Sequence, residues 1–278
     1  MSNKEIKVAI IDLYNNERNE GMRCIKEIVS AQDSLINNTP VRYEVFDTRY
    51  KNEIPSTEYD IYISSGGPGS PFEGEGQKWD LDYFKLLDNI WSFNQNNSDR
   101  KKYIFFICHS FQMMARYFQF AKVNERYEKS FGVLPFIRTG EGKIDPVLKN
   151  LSDPFYAADF RQYQVIEPDK NIIEELGASI LAVENPSEVK EHQQAIMAVR
   201  ISNEIFGTQF HPEADANSML FHFKQDDRKK QVTDKYGEER YFQMLDLLEK
   251  PEAIKLTRKT VLPTFLRIAI EELNTVLI

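Results

Sequence analysis

The stretch Tyr103-Ile104-Phe105-Phe106-Ile107-Cys108-His109-Ser110-Phe111-Gln112-Met113-Met114 decides how this chain is read. Its first five residues form an unbroken apolar run, aromatic and β-branched, of the length expected for a strand buried on both faces. The run stops at Cys108, and Met113, Met114, Tyr117 and Phe118 then fall at helical spacing, so a helix follows at once. A thiol therefore sits at the carboxyl end of a buried strand and at a helix N-terminus, where the helix dipole favours thiolate. A sharp strand-to-helix turn there would lift the sulfur into a cleft above the sheet. The competing reading is an inert buried cysteine, because free Cys packs as a small hydrophobe.

Working outward, residues 7–11, 41–46 and 59–63 read as further short strands. Met22, Ile25, Ile28 and Val29, with Cys24 just beside them, form one amphipathic helix, and Trp79, Tyr83, Leu86, Leu87, Ile90 and Trp91 form another. The third strand runs into the glycine loop Ser64-Ser65-Gly66-Gly67-Pro68-Gly69-Ser70-Pro71. Strand alternating with helix to about residue 122 predicts an α/β fold, a mostly parallel central sheet flanked by helices, with ligands at the carboxyl ends of the strands. Beyond it, residues 133–138, 180–183, 195–201 and 205–210 read as short strands. The boundaries expected are one domain over 1–215 and a helical extension over 216–278, packed on the core or used for association, for instance as a homodimer. Within the extension, residues 225–237 are dense in charge, a solvated loop or helix face, and Leu262, Leu266, Ala269 and Leu273 make a helical stripe.

Composition removes several function classes. The 278 residues are 41% hydrophobic and 28% charged, a balance that excludes fibrous and wholly disordered chains. A net charge of −8 argues against a nucleic-acid partner, since phosphate binding needs clustered Lys and Arg. No window is apolar enough for a membrane span, and the start MSNKEIKVAII has no leader pattern, so no membrane is expected and the location expected is cytoplasmic. Cys24 and Cys108 are the two cysteines, neither in a metal-binding spacing, and no metal or cofactor is expected.

The second chemical signal is Gly207-Thr208-Gln209-Phe210-His211-Pro212-Glu213. In extended chain, residues two apart point the same way, so the Glu213 carboxylate can hold one imidazole nitrogen of His211 and leave the other for a thiol. A surface histidine beside a solvated acid is the plainer alternative. His-x-Glu also opens the zinc deaminase signature, but that needs a later Cys-x-x-Cys, and no cysteine follows Cys108. The third signal is the glycine loop, whose N–H groups can approach a developing oxyanion closely. It lacks the Gly-Lys-Ser/Thr ending and any lysine, so it is not a phosphate loop.

Taken together, in this chain order, the three segments resemble the class I glutamine amidotransferase family over about residues 6 to 215. The likeness is to a stand-alone member similar to the glutaminase domain of GMP synthase. It implies a flavodoxin-like sheet and a hydrolase cleaving a γ-glutamyl amide through a Cys thiolate and a γ-glutamyl thioester. Cys108 would be the nucleophile, His211 the proton shuttle and Glu213 its orienter, with Gly67 and His109 giving oxyanion-hole N–H groups. Gly66, Gly69, Gln112, Gln162 and Tyr163 would contact glutamine or another γ-glutamyl compound. Ammonia or an amine would be released, the ammonia for a separate synthase partner. This chain departs from the family's Gly-x-Cys-x-Gly-x-Gln elbow by carrying Phe106 and Ser110 at the two glycine positions. The Phe106 ring is expected to approach the glycine loop or the substrate's path and to slow turnover of free glutamine. A non-catalytic binding or regulatory module is the second reading.

Overall fold

A computed structural model describes residues 5–32, 39–186, 194–249 and 252–275. Both expected domains, 1–215 and 216–278, include stretches outside these residues. The described elements are β1 (Ile6–Asp12), α1 (Gly21–Gln32), β2 (Val41–Asp47), α2 (Thr48–Lys51), β3 (Ile61–Ser64), α3 (Lys78–Asn96), β4 (Tyr103–Ile107), α4 (His109–Phe118) and β5 (Ala121–Arg138). They continue with α5 (Gly140–Ile144), β6 (Phe155–Pro168), α6 (Lys170–Leu176), β7 (Ser179–Glu184), β8 (Ile196–Arg200) and β9 (Ile205–Thr208). Four helices follow: α7 (Ala216–Phe223), α8 (Asp226–Tyr236), α9 (Glu238–Glu249) and α10 (Glu252–Thr275).

Among the described residues the strands form one sheet in the order β2-β1-β3-β4-β9-β8-β7-β5-β6. The run from β2 to β9 is parallel, and each pairing from β9 to β6 is antiparallel. The fold is thus α/β, with helices flanking a large central sheet. β1 turns back toward β2 on one side while β3 and β4 add on the other, so the order reverses between β1 and β3. At such a point the connections diverge and leave a crevice above the carboxyl ends of the strands. Leu13, Ser65, Cys108 and Gln209 each follow directly on the end of one of these parallel strands.

β4 alternates as a strand buried on both faces must. Phe105 and Ile107 join the apolar cluster with Ile10, Ile25 and Phe265, whereas Ile104 and Phe106 join the one with Tyr83, Leu87 and Met114. The Phe106 side chain therefore packs into the core on the α3 and α4 side and lines neither chamber at the candidate site. This corrects the expectation that its ring reaches the glycine loop or the substrate path. The strand's pleat, not the identity of the residue, sets that direction.

The second half differs from the short strands expected. β5 and β6 are long and pair antiparallel from Ala121 and Pro168 to Phe136 and Phe155. β6 has no apolar pattern because it carries Asp159, Arg161 and Gln164, yet all three are buried. Mutual pairing makes their burial tolerable, and hydropathy does not register pairing. Residues 225–237, read as a loop or a helix face, form α8 with its flanks. α10 lies on the sheet, where the Phe265 ring meets Phe105 edge-on at 5.2 Å and Thr257 donates to the Tyr156 carbonyl at 2.6 Å. No helix among the described residues is long and apolar enough to cross a membrane.

Candidate active site

Cys108 links β4 to α4 with φ 49° and ψ −98°, a region that L-residues with a Cβ rarely occupy. Such a conformation persists only where its surroundings enforce it. Cys108 N donates to the Thr208 carbonyl at 2.8 Å, and the Cys108 carbonyl accepts from Gln112 N at 3.1 Å. Ser110 closes the turn. Its hydroxyl donates to the Ser64 carbonyl at 2.7 Å and accepts from Ile107 N at 2.8 Å. Ser110 therefore ties the elbow to the end of β3 where the family pattern has glycine. The thiol lies 3.6 Å from the Phe160 carbonyl oxygen, and Gln209 Nε2 lies 3.7 Å from Sγ.

His211 N donates to the Ala158 carbonyl at 2.8 Å, which pins the histidine to β6. Its Nδ1 lies 2.8 Å from Glu213 Oε1. The two-residue spacing of the pair suits extended chain, but β9 ends at Thr208 and residues 212–213 lie in a turn. The turn brings the carboxylate back beneath the ring. Burial pulls the His211 pKa down, but the nearby Glu213 carboxylate and Cys108 sulfur outweigh it and hold it well above the ordinary value. An imidazolium is the charge state this environment favours for His211. From α10, Arg258 donates to the Glu213 main-chain carbonyl and pairs with Glu27 at 2.8 Å.

The glycine loop packs against this pair. A Cβ on Gly66 would stand 2.8 Å from His211 Cε1, and one on Gly67 would stand 2.4 Å from the Leu13 carbonyl oxygen, so neither position admits a side chain without a shift. Gly66 backs the imidazole and lines neither chamber, whereas Gly67 lines both and Gly69 lines the one at Cys108. Arg49 braces the loop by donating to the carbonyls of Leu13 at 3.2 Å and Pro68 at 2.7 Å. Arg116 donates to the Pro71 carbonyl while resting over Phe72. His109, the first residue of α4, is buried. Burial, helped by Arg49 and Arg116, pushes its pKa down to about 3, so its ring is neutral.

Two chambers meet here. One, of about 260 Å³, includes Cys108, His109, Gln112, Arg161, Gln162 and Tyr163 in its wall. The other, of about 310 Å³, is walled in part by Tyr14, Cys24, His211 and Glu213. Gly67, Pro68, Phe131 and Phe160 border both, so a bond held beside Cys108 can extend one half into each. Gln112 donates to the Tyr163 carbonyl at 3.1 Å and to Gln209 Oε1 at 3.3 Å. The Gln162 amide instead donates to Glu125.

Sequence reasoning missed Tyr14, Gln209 and Arg161 as site residues. Gln209 sits inside the quoted 207–213 segment, and Tyr14 follows the end of β1, so strand ends at the switch point held a usable signal for both. Burial, then Glu213 and Cys108, raise the Tyr14 pKa well above its ordinary value and keep its hydroxyl protonated. Arg161 carries no such signal.

The structure thus sets a cysteine on a strained elbow with a histidine–glutamate pair above the carboxyl ends of a parallel sheet in an α/β protein. The sequence profile of the family Glutamine amidotransferase class-I matches residues 22–224, and the chain belongs to that family. Its fold is similar to a glutamine amidotransferase from Thermotoga maritima, with a TM-score of 0.65 at 17% identity, covering 96% of this chain and 99% of that one. A glutamine amidotransferase from Methylobacillus flagellatus gives a TM-score of 0.61 at 10% identity, covering 97% and 95%. The glutaminase domain of Trypanosoma brucei CTPS, solved with bound acivicin, gives 0.52 at 14% identity, covering 75% and 86%. No curated protein sequence matches the chain.

Proposed function

We propose that this protein is a γ-glutamyl amidohydrolase that uses Cys108, His211 and Glu213 as its triad and releases an amine or ammonia. The observation that carries the reading is the positive-φ elbow at Cys108, held in one cleft with the 2.8 Å His211–Glu213 pair. The Cys108 thiolate adds to the amide carbonyl carbon, and the oxyanion that forms is met by the main-chain N–H groups of Gly67 and His109. The His211 imidazolium gives its proton to the departing nitrogen as the C–N bond breaks, leaving a γ-glutamyl thioester and a free amine. Water then adds to the thioester and passes a proton to His211. Collapse releases the acid and returns the thiolate–imidazolium pair. Glu213 holds the ring in orientation throughout.

The chamber on the His211 side favours an amine larger than ammonia. Its volume of about 310 Å³ exceeds the ~30 Å³ of a water-sized molecule about tenfold. Accommodation of Phe106 in the core and of Ser110 within the turn supports an enzyme over a non-catalytic module, since neither distorts the elbow. Where glutamine itself is the substrate, a separate synthase would accept the ammonia.

The test is release of glutamate from glutamine and from γ-glutamyl-n-butylamide. Cys108→Ala and His211→Ala are each expected to lose roughly 1,000-fold or more, and Glu213→Gln less, because orientation and not proton transfer is lost. Undiminished release by Cys108→Ala would place the chemistry elsewhere.

A further inference from the structure

One buried amide at the site has no part in the proposed triad chemistry. Gln209 follows β9 directly, one residue past the pair that Thr208 makes with Ile107 of β4. The same register sets it opposite Cys108, which follows β4. Its main chain is pinned from the other side, where Gln209 N donates to the Met197 carbonyl at 2.8 Å. The residue is fully buried, and its Nε2 meets Cys108 Sγ at 3.7 Å.

A side-chain amide has a donor end and an acceptor end, and its neighbours decide which one faces the sulfur. The Tyr163 main-chain carbonyl can only accept, and it lies 3.1 Å from Gln112 Nε2, so Gln112 turns its nitrogen that way. The second hydrogen of the same nitrogen is directed at Gln209, 3.3 Å away, and calls for an oxygen there. With Oε1 so engaged, Nε2 is the end left for Cys108. A carbonyl on β6 thus orients two amides in turn, and the second presents a donor to the reacting atom.

A neutral thiol is a weak acceptor, whereas a bond to an ionised acceptor is roughly twice as strong as one between neutral groups. A donor fixed at this place therefore favours the charged form of the sulfur over the neutral one. Titratable or charged groups that also act on the sulfur are His211 beyond β9, Tyr14 beyond β1 and Arg161 on β6. Gln209 differs from these in having no charge of its own to gain or lose, so its donor is present at every pH.

We propose that Gln209 is a further catalytic residue, whose Nε2 donates to Cys108 Sγ and stabilises the thiolate, with Gln112 as the positioning residue that orients its amide. This rests on the reading of Cys108 as the nucleophile.

The experiment follows alkylation of the Cys108 peptide by iodoacetamide against pH, by mass spectrometry, in the unaltered protein and in Gln209→Met, which keeps the length of the side chain and lacks the donor. Near neutral pH the variant is expected to react about 10-fold more slowly. In alkali it should react as fast or faster, because a less stabilised thiolate is the better nucleophile. A site that had merely loosened would change Cys108 reactivity in one direction at every pH. Curves that coincide, or that run parallel without converging, would overturn the proposal. The unaltered protein gives a second reading should Gln209→Met not fold. With labelled nitrogen in its glutamine side chains, the Gln209 amide resonance should move as pH passes the midpoint of Cys108 alkylation, and a resonance unmoved there refutes the bond.

Neither reading needs an amide to be hydrolysed. Were no glutamate released from glutamine or γ-glutamyl-n-butylamide, the proposed activity would fall while the alkylation curves still decided the role of Gln209. With turnover, Gln209→Met should lower kcat about 10-fold or more and leave KM little changed, since the donor acts on the sulfur and not on the substrate. A change confined to KM would count against the assignment.

Discussion

The Ser110 hydroxyl donates to the main-chain carbonyl of Ser64 at 2.7 Å, tying the first turn of α4 to the end of β3. These are the elements that lead into Cys108 and into the glycine loop. Ser110 is thus a fastening between the two halves of the candidate site. Ser110→Ala leaves the Ile107 N–H and the Ser64 carbonyl without that partner, in a place closed to water. The expected cost is about 1–3 kcal/mol by denaturant unfolding. Ser110→Gly should cost at least as much and should not raise turnover. Phe106→Gly should destabilise by ~3 kcal/mol or more, since it removes a core ring and adds a flexible residue to a strand. A double glycine variant that hydrolyses glutamine faster without loss of stability would show that these side chains obstruct the site after all.

Cys24 and Cys108 should differ sharply toward iodoacetamide. Burial, with Asp215 and Glu213 nearby, raises the Cys24 pKa against the opposing pull of Arg258, so little of it is thiolate at neutral pH. Cys108 faces the His211 imidazolium. Mass spectrometry of the folded protein should find Cys108 labelled first, and His211→Ala should remove the difference. Preferential labelling of Cys24 would count against the thiolate–imidazolium pair.

His109 sets an expected acid sensitivity. Its folded pKa of about 3 lies below the ~6.5 of the unfolded chain, so the unfolded state binds the extra proton as pH falls. Stability from this group is complete above pH 6.5 and declines toward pH 3, by roughly 5 kcal/mol at the limit. His211 runs the other way. Its folded pKa is raised, so its contribution is fully present below ~6.5 and fades as pH rises through the folded value. His109→Gln should flatten the difference in unfolding free energy between pH 6.5 and pH 4, and an unchanged slope would refute the account.

The packing of α10 makes the C-terminal helices part of the same core. Phe265 touches Phe105 and Phe206 of the central strands, and Arg258 reaches the Glu213 carbonyl. Phe265→Ala should cost about 3–5 kcal/mol. Arg258→Ala should lower turnover with a smaller loss of stability. Unfolding curves and initial rates on the same preparations separate the two effects.

The apolar run at 103–107, ending in Cys108, determined a great deal without any coordinates. A continuous hydrophobic stretch of that length suits a doubly buried strand, and helical periodicity begins directly after it, so the elbow was legible. So were the His211–Glu213 pair, two residues apart, and the glycine loop at the end of β3. Each of these is local, written in spacing along the chain. The tertiary structure alone decided what depends on distant partners. β6 was hidden because Asp159 and Arg161 neutralise each other in the interior, and a hydropathy pattern counts polar residues without seeing what they pair with. Which face received the Phe106 ring depended on strand register, and Ser110 became a fastener only because the Ser64 carbonyl lies above it. The buried Nη1 of Arg161 is likewise a tertiary fact. It exists because β6 carries that side chain into the closed interior, where Asp159 and Glu184 occupy the other positions of the guanidinium.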